Sequence, residues 1–179
     1  STGAANTKFG TGSLFFPNQN ESIRTTGSGI PIGTAPFTVE MFAKINNASH
    51  NPSLIRTTGG SFVIQYYGGE WEVGNEPTPV IQVAQTIQAD RWYHVALTRD
   101  ASDNLRLFVD GKQKGATSAS YTTNFTDADY FLGNITNTGG TSRALKGFLD
   151  EVRITVGQAR YTANFTPMTA ASGNQSANT

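Results

Sequence analysis

Few side chains in this 179-residue sequence could do chemistry, and each can be weighed in turn. The densest group lies in GFLDEVRITVGQARYTANFTP (Gly147–Pro167), where Asp150 and Glu151 are adjacent and Arg153 and Arg160 follow. Neighbours on a strand point to opposite faces, so this pair cannot act on one substrate. Glycoside hydrolysis needs two carboxyl groups roughly 5–10 Å apart on one side of a sugar, a spacing that alternate strand positions supply. Glu70 and Glu72, in EWE, share a face but have no further carboxylate partner on that strand. The two histidines are His50, in a loop beside Asn51-Pro52, and His94, within an alternating strand pattern that reads as structural. Neither belongs to a nucleophile–His–acid order or to a metal-ligand spacing such as HExxH. GSGIPIG (Gly27–Gly33) departs from GxGxxG and has Pro31 where a phosphate-binding helix would open. Flat aromatic rings remain. Tyr66, Tyr67 and Trp71 flank a Gly-Gly turn beside Gln65, Glu70 and Glu72, so Tyr66, Tyr67, Trp71 and Glu72 form a candidate sugar platform. The competing reading packs those rings inside the fold.

Strands must position all of these residues. Short runs of period-two alternation are separated by clusters of Gly, Pro, Asn and Asp, the pattern of an antiparallel sandwich or barrel. FTVEMFAKI (Phe37–Ile45) places Val39, Met41, Ala43 and Ile45 on one face. SFVIQYY (Ser61–Tyr67) and EWEV (Glu70–Val73) flank Gly68-Gly69, a link suited to the positive φ of a primed turn. RWYHVALTRD (Arg91–Asp100) alternates again, and NLRLFVDGKQKG (Asn104–Gly115) reads as a hairpin with Asp110 and Gly111 at its tip. GSLFF (Gly12–Phe16), YFLGNI (Tyr130–Ile135) and FLDEVRITV (Phe148–Val156) complete the strands. The best helical candidate is one turn at VGQARYT (Val156–Thr162). Long loops are expected at Asn18–Pro36, Asn46–Pro52, Glu76–Gln85 and Thr136–Lys146. YTTNFT (Tyr121–Thr126) and YTANFT (Tyr161–Thr166) echo each other 40 residues apart, read here as two aromatic-anchored turns of coincidental likeness.

Composition narrows the function classes. Charged residues are 15%, with 13 basic and 13 acidic side chains in balance, which leaves no electrostatic case for nucleic acid or an anionic membrane. There is no cysteine, which removes disulfides, thiolate nucleophiles and Cys-based metal centres. No apolar run approaches the ~18 residues of a membrane span, and no signal peptide is visible. The expected organisation is one domain over residues 1–168, with a polar, mobile tail over 169–179. Six Asn-x-Ser/Thr triplets, at Asn20, Asn47, Asn124, Asn134, Asn164 and Asn174, carry little meaning in a chain so rich in Asn and Thr.

Four segments resemble one family. FGTGSLFF (Phe9–Phe16) is similar to its opening strand, APFTVEMFAKI (Ala35–Ile45) to an early sheet strand, and DRWYHVALTRDASDNLRLFVDGK (Asp90–Lys112) to its central hairpin. FLDEVRITVGQARYTANFTP (Phe148–Pro167) resembles the closing strand followed by a GxARYxxxFTP tail. The family is the laminin-G-like, concanavalin-A-like lectin jelly roll, in the short form found in tailed-bacteriophage virion proteins and bacterial surface proteins. The resemblance implies an all-β, antiparallel two-sheet jelly-roll sandwich. It makes Trp92 the core tryptophan, His94 a structural imidazole, and Asp150 and Glu151 part of the closing strand. It brings in calcium as the one cofactor to consider, at a loop rim where Asp100, Asp103, Asp127 and Asp129 are the candidate ligands. It implies a non-enzymatic, multicopy protein on a virion surface, or an extracellular or bacterial-surface one. Its partners would be other virion proteins, copies of itself and bacterial surface polysaccharide. The alternative is a purely structural decoration protein; a glycan hydrolase is disfavoured by the missing carboxylate array. The same sandwich serves lectins, hydrolases and shells, so the site has to decide.

Overall fold

The computed structural model describes residues 6–18, 21–25, 32–126, 129–134 and 143–171, which form two antiparallel sheets of six strands each. The first sheet runs β1 (Leu14–Phe16), β12 (Gly147–Val156), β3 (Phe37–Ile45), β8 (Trp92–Arg99), β9 (Leu105–Val109), β10 (Lys112–Ser118). The second runs β2 (Ile23–Arg24), β11 (Tyr130–Leu132), β4 (Ser53–Thr57), β5 (Val63–Tyr67), β6 (Glu70–Gly74), β7 (Pro79–Ala84). The alternation left sandwich or barrel open; the structure is the all-β, two-sheet jelly-roll sandwich that the family resemblance implied. One 3-10 turn, Ala48–His50, is the sole helical element among the described residues.

Alternation decides what is inside. Phe37, Val39, Met41, Ala43 and Ile45 of β3 face the second sheet and join Leu54, Ile64, Trp71 and Val73 in one core. Yet all nine residues of β3 are buried. Phe9 covers Phe42, Phe148 lies against Lys44, and a strap covers Thr38 and Glu40. After Val156 the chain leaves β12 at Gly157, whose φ of +90° suits glycine. It then crosses the outer face of the first sheet. Tyr161 and Phe165 stack at 3.5 Å and pack edge-on against His94 and Phe108. The Arg160 amide donates to Thr38 Oγ1 (2.8 Å), Thr98 Oγ1 donates to the Tyr161 carbonyl (2.9 Å), and the Phe165 amide donates to the Gly111 carbonyl (2.9 Å). The single helical turn expected at Val156–Thr162 is therefore corrected: this stretch is an extended strap anchored by side chains. Pro79–Ala84, expected within a loop, is strand β7, paired antiparallel with β6 so that Pro79 lies opposite Gly74 and Ala84 opposite Glu70.

The YTxNFT echo is a repeated device rather than a coincidence. In each copy the Tyr and the Phe four residues on touch: Tyr121–Phe125 centroids lie 6.0 Å apart and Tyr161–Phe165 3.5 Å. In each copy the Phe amide donates to the carbonyl of a glycine with positive φ, Gly33 (+57°) or Gly111 (+74°). The first copy plugs the core, where Phe125 is 1% exposed; the second clamps the outer face.

Candidate functional site

The register of the second sheet builds a polar row on its outer surface. Ser53 of β4 lies opposite Gln65 of β5, Gln65 opposite Glu72 of β6, and Glu72 opposite Gln82 of β7. The row spans three inter-strand spacings, roughly 14 Å. Gln65 Nε2 donates to Glu72 Oε2 at 2.7 Å, and Gln82 Nε2 donates to Glu72 Oε1 at 3.0 Å. Gln82 Nε2 also bonds Glu70 Oε2. Gln65 and Glu72 are buried at 2% and 7% exposure and form the floor; Gln82, Glu70 and Tyr67 stand at the surface above them. Ser53 Oγ, at the end of the row, is buried with no partner among the described residues. Arg143 caps that end: its Nη1 lies 3.4 Å from Gln65 Oε1, and its guanidinium sits 4.9 Å from the Tyr67 ring centre. Arg143 and Arg56 both pair with Glu76. The result is an array of amide and carboxylate groups on a rigid sheet beside one flat, 38% exposed ring.

The expected platform of Tyr66, Tyr67, Trp71 and Glu72 is thus divided between two faces. Gly68 and Gly69 turn the hairpin with φ of +59° and +93°, so Tyr66 pairs with Trp71 and Tyr67 with Glu70. Tyr66 (5% exposed) and Trp71 (0%) point into the core and pack on each other at 5.2 Å. Only Tyr67 and Glu72 share the outer face. Gln65 and Gln82 were not among the predicted site residues. The period of two signals Gln65 directly; Gln82 needed β7 to be seen.

The two tryptophans exchange roles. Trp71 is the core tryptophan, whereas Trp92 is half-buried on the outer side of the first sheet, tilted against Phe148 at 6.3 Å. His94 is buried there too. Its Nε2 lies 3.1 Å from Glu40 Oε2, while its Nδ1 has no partner among the described residues. Glu40, at 0% exposure, also accepts from Tyr161 OH (2.8 Å) and Arg153 Nε (2.9 Å). Burial opposes its charge, but the hydrogen bonds from His94, Tyr161 and Arg153 outweigh it and hold the carboxyl below its ordinary value. Burial and the Glu40 carboxylate together push the Tyr161 phenol up to about 12.

Asp150 serves the scaffold. Asp150 Oδ2 accepts from the Lys8 and Phe9 amides (2.8 and 3.1 Å), tying the opening segment to β12. Glu151 has φ +50° at a bulge between Asp150 and Arg153, so strict alternation does not hold at this pair. Asp110 accepts from the His94 amide (3.0 Å) and pairs with Arg91; Gly111 makes room for the strap, since a Cβ there would sit 2.0 Å from the Phe165 carbonyl oxygen. Of the four calcium candidates, Asp127 lies outside the described residues. Asp100 is taken up by Arg106, Asn104 and the Ser102 amide, and although burial opposes it these bonds pull its pKa down to about 2. Asp129 pairs with Arg24, and Asp103 occupies a left-handed turn position at φ +57°. The described candidates are dispersed, and no described group of three acidic or histidine side chains converges on one point.

Residues 17–158 match the laminin-G family model of the concanavalin A-like lectin/glucanases superfamily. No curated protein sequence matches significantly. Among solved structures, a Bacteroides ovatus protein provisionally classed as carbohydrate-binding superposes with a TM-score of 0.61 at 22% identity, covering 77% of this chain and 42% of its own. The LG4-5 domains of the mouse laminin α1 chain give 0.58 at 12% identity, covering 80% and 40%. Domain 4 of AbnA, a GH43 extracellular arabinanase of Geobacillus stearothermophilus solved with arabinotriose, gives 0.56 at 17%, covering 83% and 78%. The chain spans less than half the length of the first two, and at these identities the likeness establishes the fold. On the match over residues 17–158, borne out by its two six-stranded sheets, this chain belongs to the concanavalin A-like lectin/glucanase superfamily.

Proposed function

We propose that the chain is a non-catalytic carbohydrate-binding module whose ligand lies across the outer face of the second sheet. The observation that carries this reading is the row Ser53–Gln65–Glu72–Gln82, with Glu70 and the exposed Tyr67 ring at the surface. Sugar hydroxyls need fixed donors and acceptors, and C–H faces need a flat ring; this face offers both on elements held by ladder hydrogen bonds. This reading is non-catalytic: Glu72 accepts from the Gln65 and Gln82 side-chain amides and Glu70 from Gln82, an arrangement that fixes both carboxylates as acceptors in a hydrogen-bonded row. The neutral, Thr- and Asn-rich composition and the GxARYxxxFTP-like strap support a finer assignment: an outward-facing module present in many copies on a virion or cell surface, holding bacterial polysaccharide weakly per copy and firmly through avidity. Other virion proteins and copies of the chain itself are its proposed neighbours.

The test is binding of the purified chain, alone and multimerised, to a panel of bacterial surface polysaccharides, with calcium and with chelator. Saturable binding that falls at least about tenfold in Tyr67→Ala and Glu70→Ala, with unchanged melting temperature, is the expected result. Absence of binding to every glycan, even when multimerised, would overturn the reading. A structural particle protein is the second reading, favoured by Phe15, which is 46% exposed and stacked on Phe148 at 4.6 Å.

A further inference from the structure

The chain contains eight arginines, and the structure accounts for seven of them. Six pair with carboxylates: Arg24 with Asp129, Arg56 and Arg143 with Glu76, Arg91 with Asp110, Arg106 with Asp100 and Arg153 with Glu40. The seventh, Arg99, is buried at 0% exposure, and its guanidinium donates to the carbonyls of Gly33, Ala35 and Thr123. Arg160 is different. Its backbone is fixed to Thr38, and its Nε donates to Thr155 Oγ1 at 3.0 Å. Its two Nη groups have neither a carboxylate nor a carbonyl among the described residues.

Arg160 does not stand alone on the surface. With Arg153 it lines a cleft of roughly 510 Å³ between the strap and β12, and the cleft also contains Thr166, Met168 and Thr169. Arg153 spends its Nε and Nη2 on Glu40, leaving Nη1 for the cleft. Among the described residues that line the cleft or bond to its lining arginines, the charges are two guanidiniums and the buried Glu40 carboxylate. Tyr161 is neutral at physiological pH. Arg160 is exposed and hydrated in the free chain, so the cleft presents a guanidinium whose Nη groups can exchange water for an anion beside the partly engaged Arg153. Guanidinium forks bind planar or tetrahedral oxyanions through paired N–H donors, and the threonine hydroxyls add neutral donors.

We propose that this cleft binds one anionic group, a carboxylate or a sulfate ester, carried on a saccharide. The oxyanion subsite stands on the arginine geometry; the saccharide carrier rests on the carbohydrate-binding reading above. The cleft belongs to the strap over the first sheet, whereas the polar row belongs to the second sheet, so the two sites can be tested separately.

The experiment is a titration followed by NMR of the arginine Nε–Hε signals, using four probes in turn: glucuronate, glucose 6-sulfate, inorganic sulfate and glucose. Saturable shifts of the Arg160 signal with glucuronate or either sulfate, and none with glucose, are expected. A response to glucuronate alone would identify the group as a carboxylate, and a response to the sulfates alone as a sulfate; either supports the site. Read from the Arg153 Nε–Hε signal, which both variants keep, the affinity should fall about tenfold in Arg160→Gln, weaken with added salt, and recover in part in Arg160→Lys, which restores charge without the fork. An unchanged Arg153 titration in Arg160→Gln, or no shift of either signal with any anion at millimolar concentration in the parent chain, would overturn the proposal. Polysaccharide binding that depends on Tyr67 and Glu70 should be unchanged in Arg160→Gln. Failure of the anion titration with that binding intact rejects the cleft alone, whereas loss of all polysaccharide binding with anion shifts intact rejects the saccharide carrier.

Discussion

Glu40 shows how a single residue can hold a segment in place. It lies on the outer side of β3, where a carboxylate would ordinarily face water, yet it is fully covered and accepts from Tyr161, Arg153 and His94. Replacing it by Gln leaves Arg153 without its counter-charge and should cost about 3 kcal/mol, the lower end for a buried pair because Arg153 remains 27% exposed. Urea unfolding at neutral pH measures this. The pH dependence has a definite sign. Glu40 titrates below its ordinary 4.5 in the folded chain, so its stabilisation is complete above that value and is lost as pH falls through the folded value. Tyr161 works in the opposite direction. Its proton is held up to about 12, against 10.0 for a free phenol, so its stabilisation is present below 10.0 and is lost as pH rises towards 12. Denaturant midpoints followed across pH should show a smaller acid limb in Glu40→Gln, with the Asp100 contribution remaining, and a smaller alkaline limb in Tyr161→Phe. Limbs of unchanged size in both variants would refute the assignment.

At the scale of elements, the strap and the hairpins define two outer surfaces of opposite character. On the first sheet, Thr38, Glu40, His94, Thr98 and Phe108 are buried because the strap lies over them. Ending the chain after Gly157 should therefore expose Phe108 and His94, raise binding of a hydrophobic dye and lower the melting temperature. A truncated chain that melts like the parent would show that the strap is ornamental. The Asp110-Gly111 tip makes the same point at one position. Gly111→Ala places a methyl on the Phe165 carbonyl and forces a left-handed φ on alanine, so a loss of at least about 1 kcal/mol is expected in urea unfolding. On the second sheet no described segment of this kind covers Tyr67, Glu70 and Gln82, which stay accessible among the described residues while Gln65 and Glu72 hold them in register. That difference is why ligand binding is assigned to the second sheet's outer face and the anion cleft to the strap's margin.

Across the whole molecule, one core from both sheets supports these surfaces, and its tryptophan is Trp71. Trp71→Ala should cost about 3–5 kcal/mol, because the site is sealed by Tyr66 and Tyr93 and cannot collapse. Trp92→Ala removes a half-buried ring leaning on Phe148 and should cost distinctly less. Paired denaturation curves decide between them, and the reverse order would contradict the packing described here. Arg99 gives the same lesson at the end of the core. A guanidinium lies 5.2 Å from both the Phe37 and Phe125 ring centres, its charge met by backbone carbonyls rather than a carboxylate. The Tyr121–Phe125 loop therefore closes the sandwich through an arginine as well as through its rings.

Alternation was legible from the residues alone. It placed Val39, Met41, Ala43 and Ile45 inside, set the Gly68-Gly69 and Asp110-Gly111 hairpins, and excluded thiol, metal-motif and nucleotide chemistry, because period, turn type and residue chemistry are local properties. It even contained the division of the candidate platform, since Tyr66 and Tyr67 are neighbours and must face opposite ways. Which of those faces was the core depended on which sheet lay opposite, and that is a long-range fact. The same holds for Trp71 against Trp92, for the strap that buries Glu40 from 121 residues away, and for Gln82 reaching Glu72 from a third strand. Register between distant strands is set by the packing of the whole sandwich, so the tertiary structure alone decided which polar side chains stand together on its surface.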